Sequence, residues 1–390
     1  MTSTAAPLRR RTPLWRNVRV LRVAFQAAFL LGVLFFLFLL YENLTTNLRV
    51  QGIRTDFGYL DQPAGFAIAD ADFRPSQSIW DAIQVGAMNT IKVSLLGILL
   101  ATLLGVVVGV ARLSTNWLVR RSAAIYVETL RNIPVLVIIL FWWLAVLLQL
   151  PAIRQAVDLN VIVISNRGLV GPGLAQTGSL TGFLLVALVG LAVAVGVAVW
   201  RTRVFDRTGQ PHHRVLWGGG VLAVALVAGF FVFGRPLTVS LPERGELATT
   251  GGFRLSPEYA ALLLGLTLYT ASHIAEIVRG SILAVPRGQT EAANAVGLSG
   301  FRRLRFVVLP QAFRISVPPI ANQYLNLVKN SSLGVAIAFP EVTRITRIAI
   351  GQQAPAPQSV LVLMGVYLFF SLVIALVMNL INRRLTLKGR

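Results

Sequence analysis

Eight stretches of this 390-residue chain are long and apolar enough, or nearly so, to cross a bilayer, and no other feature limits its fold as strongly. They are Val20–Tyr41, Met88–Ala111, Ala123–Leu150, Leu180–Trp200, Trp217–Gly234, Tyr259–Ala284, Ile320–Phe339 and Ser359–Ile381. An α-helix needs about 20 such residues to traverse about 30 Å of hydrocarbon. Backbone polar groups find no water there, so each run must close its own hydrogen bonds as a helix. The pattern predicts an all-α polytopic membrane protein with about eight transmembrane helices. Trp217–Gly234 is marginal in length. Ile320–Phe339 is the least apolar, carrying Asn322, Gln323, Asn326, Lys329 and Asn330. The first run is too long for the apolar part of a signal peptide and lacks a convincing cleavage site beyond it.

Charge then sets the orientation. The chain is 55% hydrophobic and 13% charged, against about 25% charged in soluble domains. It nevertheless carries a net charge of +21, from 36 basic and 15 acidic residues. An excess of that size fits either nucleic-acid binding or membrane topology. With the N-terminus in the cytoplasm, 22 Lys and Arg fall on cytoplasmic segments and 10 on outer ones. Both termini are therefore expected in the cytoplasm, and no nucleic-acid partner is expected. The segment Glu42–Ala87, with Asp56, Asp61, Asp70, Asp72 and Asp81, reads as an ordered extracytoplasmic excursion, and Pro151–Ser179 as a second, rich in Gly and Asn.

Several chemistries lack their residues. There is no Cys, hence no disulfide and no thiolate ligand or nucleophile. Of the three lysines, Lys92, Lys329 and Lys388, none follows Gly, so a phosphate-gripping P-loop is missing. His212 and His213 are adjacent, but only Asp206 lies near as a further ligand, and a solvated pair is the expectation. No catalytic residue, metal site or cofactor is expected.

Small residues recur every fourth position at Gly97, Ala101, Gly105 and Gly109, a stripe that lets helix backbones approach closely. It serves helix packing in general or packing beside a pathway. Ionisable groups inside a membrane are expensive. Glu276 and Arg279, three apart, are either part of a substrate path or a structural ion pair. Asn322, Asn326 and Asn330 share a helix face, with Gln323 and Lys329 beside it; that face lines a cavity or hydrogen-bonds a packed neighbour. Lys92, one turn inside its span, is expected to snorkel. The strongest local signal is the segment from Pro286 to Gly297, followed by Leu309-Pro310. Thr290 is expected to cap a short helix, with Glu291 in its first turn and Gly297 ending it.

That segment resembles a known signature. Glu291-Ala292-Ala293, then Gly297, Val307 and Leu309-Pro310, is similar to the EAA motif of ABC-importer permease subunits, with Val307 where Ile is commoner. Ala275–Gly280, Val328–Leu333 and Leu130-Arg131-Asn132-Ile133-Pro134 resemble the polar amino-acid branch, although Asn132-Ile133 replaces the usual Gly-Thr. Leu60–Phe66 and Asn166-Arg167-Gly168 are similar to the larger permeases of general L-amino-acid importers.

The resemblance implies a type I ABC-importer permease core at residues 84–385, with a helix pair inserted at about 151–257. Residues 1–83 would hold a cytoplasmic segment, the first transmembrane helix and the excursion, and 386–390 a cytoplasmic tail. It implies a multi-pass protein of the cell inner membrane that carries polar or general L-amino acids. Glu291, Ala292, Ala293, Gly297, Leu309 and Pro310 would couple it to an ABC ATPase present in two copies. A second, homologous permease and an extracytoplasmic solute-binding protein would complete the complex, within membrane lipid. A secondary transporter or channel working without an ATPase would need ion-coupling carboxylates, yet Asp is absent from the spans and only Glu276 is well inside one. A membrane-embedded enzyme would need a catalytic constellation the sequence lacks.

Overall fold

The structure is a computed structural model that describes residues 18–50, 52, 56–209, 213–245 and 248–385. His212 and the cytoplasmic segments expected at residues 1–17 and 386–390 lie outside the described residues. The helices are α1 (Val18–Val50), α2 (Ile79–Ala111), α3 (Trp117–Asn132), α4 (Val135–Leu140), α5 (Leu180–Thr208) and α6 (Arg214–Val232). They continue with α7 (Pro257–Leu283), α8 (Arg287–Ala295), α9 (Gly300–Arg303), α10 (Leu309–Asn330), α11 (Val342–Gly351) and α12 (Ala356–Leu385). By length and composition six of them can cross a membrane, namely α1, α2, α5, α6, α7 and α12, and the bent pair α3–α4 makes a seventh.

The centre of the molecule is the seam between α2 and α7. The two run parallel, because Gly97 meets Leu263, Gly105 meets Ile274, and Gly109 meets Ala275 and Val278. A Cβ placed on Gly105 would stand 2.7 Å from the Ile274 Cβ, and one on Gly109 2.7 Å from the Ala275 carbonyl oxygen. The small-residue stripe is thus the surface on which α7 lies. α10 runs antiparallel to α2: Leu327 packs at Gly97, and the Tyr324 and Thr102 hydroxyls hydrogen-bond at 2.8 Å. α4 seats Ile139 against Gly265 of α7. At the start of α2, Gly86 takes the Val342 backbone of α11, and Ile79, Ile83, Val342 and Ile345 bury Tyr59, Ile68 and Phe73 of the preceding loop. The Ser78–Asp81 capping box starts α2 below that small core.

Two expected spans take a different form. Ala123–Leu150 is broken: Pro134 forces Ile133 into extended backbone (φ −99°, ψ 131°), and the segments on either side are bent by 107°. A π-helical stretch, Phe141–Leu147, follows α4. The least apolar run is shifted. α10 begins at Leu309 and ends at Asn330, a 3₁₀ stretch covers Ser331–Ile337, and Ala338 stops the chain with φ +64°. It is not among the helices apolar enough to span by composition, although its course along α2 carries it from one end of the bundle to the other. About eight spans is consistent with this arrangement.

The second excursion is not irregular. It builds β1 (Val157–Asp158), β2 (Val163–Ser165), β3 (Gly168–Gly171) and β4 (Gly173–Gln176), and the return from α6 adds β5 (Leu237–Ser240), β6 (Glu243–Arg244), β7 (Thr249–Thr250) and β8 (Phe253–Leu255). β1, β2, β3 and β8 form one antiparallel sheet, and β4 pairs with β5. Alternating Val163 and Ser165 point inward, and Asn166-Arg167 turns the chain so that Gly168 (φ +118°) can lie against the Leu255 carbonyl. On this platform stand α5 and α6, packed on one another as a hairpin.

Candidate functional site

α8 begins earlier than its sequence indicates. Pro286 precedes the first helical residue, Arg287, so Thr290 lies inside the helix and Glu291 in its middle. The φ of −55° that Pro286 holds already suits the chain's entry, and no side chain is needed as a cap. The end is as expected. Gly297 takes φ +75°, its N–H donates to the Asn294 carbonyl, and the Leu298 N–H donates to the Ala293 carbonyl. These two bonds form a Schellman stop, which needs the left-handed backbone that glycine adopts without strain. Ala293 is buried, whereas Glu291, Ala292, Ala295 and Val296 are exposed. α8 packs on the π-helical residues Leu304–Val308. The Arg303 guanidinium donates to Asn294 Oδ1 at 2.6 Å, and Gln311 Nε2 to Gln289 Oε1 at 3.2 Å. Leu309 and the exposed Pro310 open α10 directly beyond. The short helix therefore offers one face and is tied by the other to α9 and α10.

At the same end of the bundle, Glu276 of α7 is held on two sides. Arg279 Nη2 donates to its Oε1 at 2.5 Å, and Arg112 Nη1 donates to its Oε2. Arg112 caps the end of α2 and also faces Glu128 of α3, at 3.9 Å. The ion cluster thus joins α2, α3 and α7, a geometry in which two cations surround one part-buried carboxylate. Arg112 and Glu128 were not singled out in sequence, because a basic residue at the cytoplasmic end of a span reads as topology alone.

The polar residues of α10 lie elsewhere. Asn322, Asn326 and Lys329 are exposed, and Gln323 and Asn330 half-buried, while Ile320, Leu327 and Val328 on the other side are buried. Asn326 is level with the Gly97–Thr102 part of α2, and Glu276 with Gly109. That part of α2 lies seven to twelve residues of helix from Gly109, roughly 10 to 18 Å. The two sets of candidates do not form one site. Among the described residues no hydrogen bond or ion pair engages the side chain of Asn322, Gln323, Asn326, Lys329 or Asn330. A polar face left open at the depth of a bilayer is expensive unless it meets water or another polar surface.

A further buried group escaped the sequence. Glu341 is fully buried ahead of α11, where it accepts the Thr343 and Arg344 N–H groups at 2.7 and 2.8 Å and the Tyr367 hydroxyl at 2.9 Å. Burial pushes its carboxyl above the usual carboxylate range, against the pull of those hydrogen bonds. The signal available was a lone carboxylate one residue past a Pro, at a helix N-cap position. No group of three His, Cys, Asp or Glu able to hold a metal occurs among the described residues, and His213 stands before α6 with φ +37°.

Comparison with known proteins adds an independent line. Residues 190–387 match the family model "Binding-protein-dependent transport system inner membrane component". The putative amino-acid ABC transporter permease protein YhdX of Escherichia coli is 40% identical over 360 residues, covering 90% of each chain. The general L-amino acid transport system permease protein AapQ of Rhizobium johnstonii is 40% identical over 359 residues, 90% of this chain and 88% of that one. The glutamate/glutamine/aspartate/asparagine transport system permease protein BztB of Rhodobacter capsulatus is 35% identical over 409 residues, 96% of each. With an exposed EAA helix at one end of its bundle and relatives that match it nearly end to end, the chain belongs to the binding-protein-dependent transport system inner membrane components, among the amino-acid ABC transporter permeases.

Proposed function

We propose that this permease forms half of the path by which L-amino acids enter the cell, and that α8 is the element through which ATP hydrolysis drives it. The observation that carries this reading is α8 itself: a short helix with Glu291, Ala292 and Ala295 on its open face, ended sharply at Gly297 and tied to α10. Such a helix fits a cleft on a separate ABC ATPase, of which two copies serve the complex. The end bearing α8 then faces the cytoplasm, with both termini, and α11 and the strands face outward. A solute-binding protein docks on that outer side, over the loop before α2 and the β platform, and delivers the amino acid. A second, homologous permease covers the open face of α10, so that Asn322, Gln323, Asn326, Lys329 and Asn330 line the path between the two chains. Their amide and ammonium groups suit the carboxylate and amine of an amino acid. Glu276 and Arg279 stand at its cytoplasmic end. In domain terms the core is 84–385, interrupted by the insertion at about 151–257, with 1–83 ahead of it and 386–390 as tail.

The deciding experiment substitutes Glu291→Ala together with Gly297→Val in the reconstituted complex with its ATPase and binding protein. Substrate-stimulated ATPase activity and uptake of labelled amino acids are expected to fall together while the complex still assembles. Uptake and stimulation at the original level in an assembled complex would refute the role given to α8.

A further inference from the structure

α2 carries a cation that the transport reading leaves unused. Between Lys92 and Arg112 the helix has no charged residue. Their separation of twenty residues corresponds to about 30 Å of helix, the thickness of the hydrocarbon layer. The pair therefore marks the two boundaries of the bilayer on one helix. Lys92 sits at the outer boundary, deeper in α2 than the single turn expected from sequence, because the helix starts at Ile79. The two marks differ in what surrounds them. Arg112 meets Glu276 and Glu128. Among the described residues Lys92 has no ion pair and no hydrogen bond, and it is exposed on the stripe that continues as Leu95, Leu99 and Leu103, each more than half exposed. That stripe lies opposite the Gly97–Gly109 seam, and α7 borders it only near Lys92, through Ser256 and Tyr259.

Beside Lys92 is a cleft of about 500 Å³. Its upper wall is polar, made by Asn89, Asp70 and Arg254, and its lower wall apolar, with Leu95, Leu96 and Leu99. The Arg254 guanidinium is 3.8 Å from the Asp70 carboxylate and donates to the Arg167 carbonyl, so those two charges largely offset each other. Asn89 is fixed by its bond to the Pro340 carbonyl at 3.0 Å. The net positive charge of the cleft is that of Lys92. A cation at headgroup depth, above an apolar floor and open to lipid, matches one kind of ligand: a phosphodiester with acyl chains attached.

We infer that this cleft binds a glycerophospholipid of the outer leaflet, its phosphate on Lys92 and one acyl chain along Leu95, Leu96 and Leu99. The floor commits the site to a lipid rather than to free phosphate, which gains nothing from three leucines. The test uses the purified complex, stripped of lipid in detergent and titrated with dioleoyl-phosphatidylglycerol, dioleoyl-phosphatidylethanolamine or dioleoylglycerol, with bound lipid counted by native mass spectrometry. Either phospholipid is expected to occupy a tight site that dioleoylglycerol leaves empty and that millimolar inorganic phosphate does not compete for. Lys92→Gln should weaken that site about tenfold, as loss of a charge-assisted hydrogen bond does, and Lys92→Arg should keep it. Lys92 is exposed, so neither variant disturbs packing. The inference is overturned by undiminished phospholipid retention in Lys92→Gln, by equal loss in Lys92→Arg, by equal binding of dioleoylglycerol, or by displacement with inorganic phosphate.

Discussion

α7 and α12 are both membrane-length helices, and they obey opposite rules. α7 is the least apolar of the six spans, yet 61% of its apolar stretch is buried. α12 is the most apolar, and 6% of it is buried; for α1 the figure is 0%. In water this order would be reversed, since apolar surface is what seeks the interior. In lipid the surroundings are as apolar as a leucine, so burial is won by close fit and by polar contacts. α7 has the means: Gly265, Thr267, Thr270, Ala271, Ser272 and Ala275 are all buried. Hydropathy therefore reports which helices can enter the membrane, and small or hydroxylated residues report which of them form its interior.

The sharpest way to break this comparison is to remove the charge at the seam. Glu276→Gln leaves Arg279 without a carboxylate and Arg112 with Glu128 alone, at 3.9 Å, in surroundings where the two arginine side chains are 30% and 14% exposed. Loss of about 3 kcal/mol is expected, read as a fall in the unfolding midpoint in detergent. An unchanged midpoint would mean that packing alone holds α2 to α7.

Next comes the close fit. Gly105→Leu forces side-chain atoms into Ile274 and should cost about 2 kcal/mol, whereas Gly219→Leu on α6, with nothing within 4 Å, should stay within about 0.5 kcal/mol. Equal effects from the two would erase the distinction between interior and lipid-facing helices. Gly297→Ala introduces a Cβ at φ +75° with open space around it, a strain of about 1 kcal/mol. Faster hydrogen exchange at the end of α8, with no change in α7, is the expected reading.

The smallest effect is a dependence on pH. Burial raises the Glu341 carboxyl above its unfolded value, so the folded state holds that proton more tightly than the unfolded one. The associated stability is fully present below the unfolded pKa and is lost as pH rises through the folded one. Unfolding midpoints followed as pH rises above the ordinary carboxylate range should show this decline in the unaltered chain, and Glu341→Gln should flatten it.

What could be read from the sequence follows the same division. Long apolar runs and the end of α8 were legible because each depends on local residues: hydropathy over twenty positions, or one glycine where the backbone must turn left-handed. The start of α8 was misplaced at Thr290 because Ser and Thr usually cap by side chain, whereas here Pro286 sets the entry by its ring. The break at Ile133-Pro134 went unread because the apolar residues on both sides make Ala123–Leu150 look like one span. Partnerships across the fold were not legible at all. Arg112 looks the same in sequence whether it faces water or Glu276, and although β1, β2 and β3 pair locally, β4 and the free edge of β3 find partners only when Ser240 and Leu255 return. The open face of α10 is the mixed case. Its periodicity is plain, but only the structure shows that no helix among the described residues covers it.

The rungs of the β platform decide how the α5–α6 hairpin is attached. Leu169 pairs with Leu255, and Gly173 with Ser240, so the path out to the α5–α6 hairpin and the path back begin and end side by side. Gly173 even brings its Cα against the backbone of Gly252 and Phe253. The hairpin thus leaves and returns at one junction in the strands, and it hangs from the β platform rather than from either helix of the α2–α7 seam.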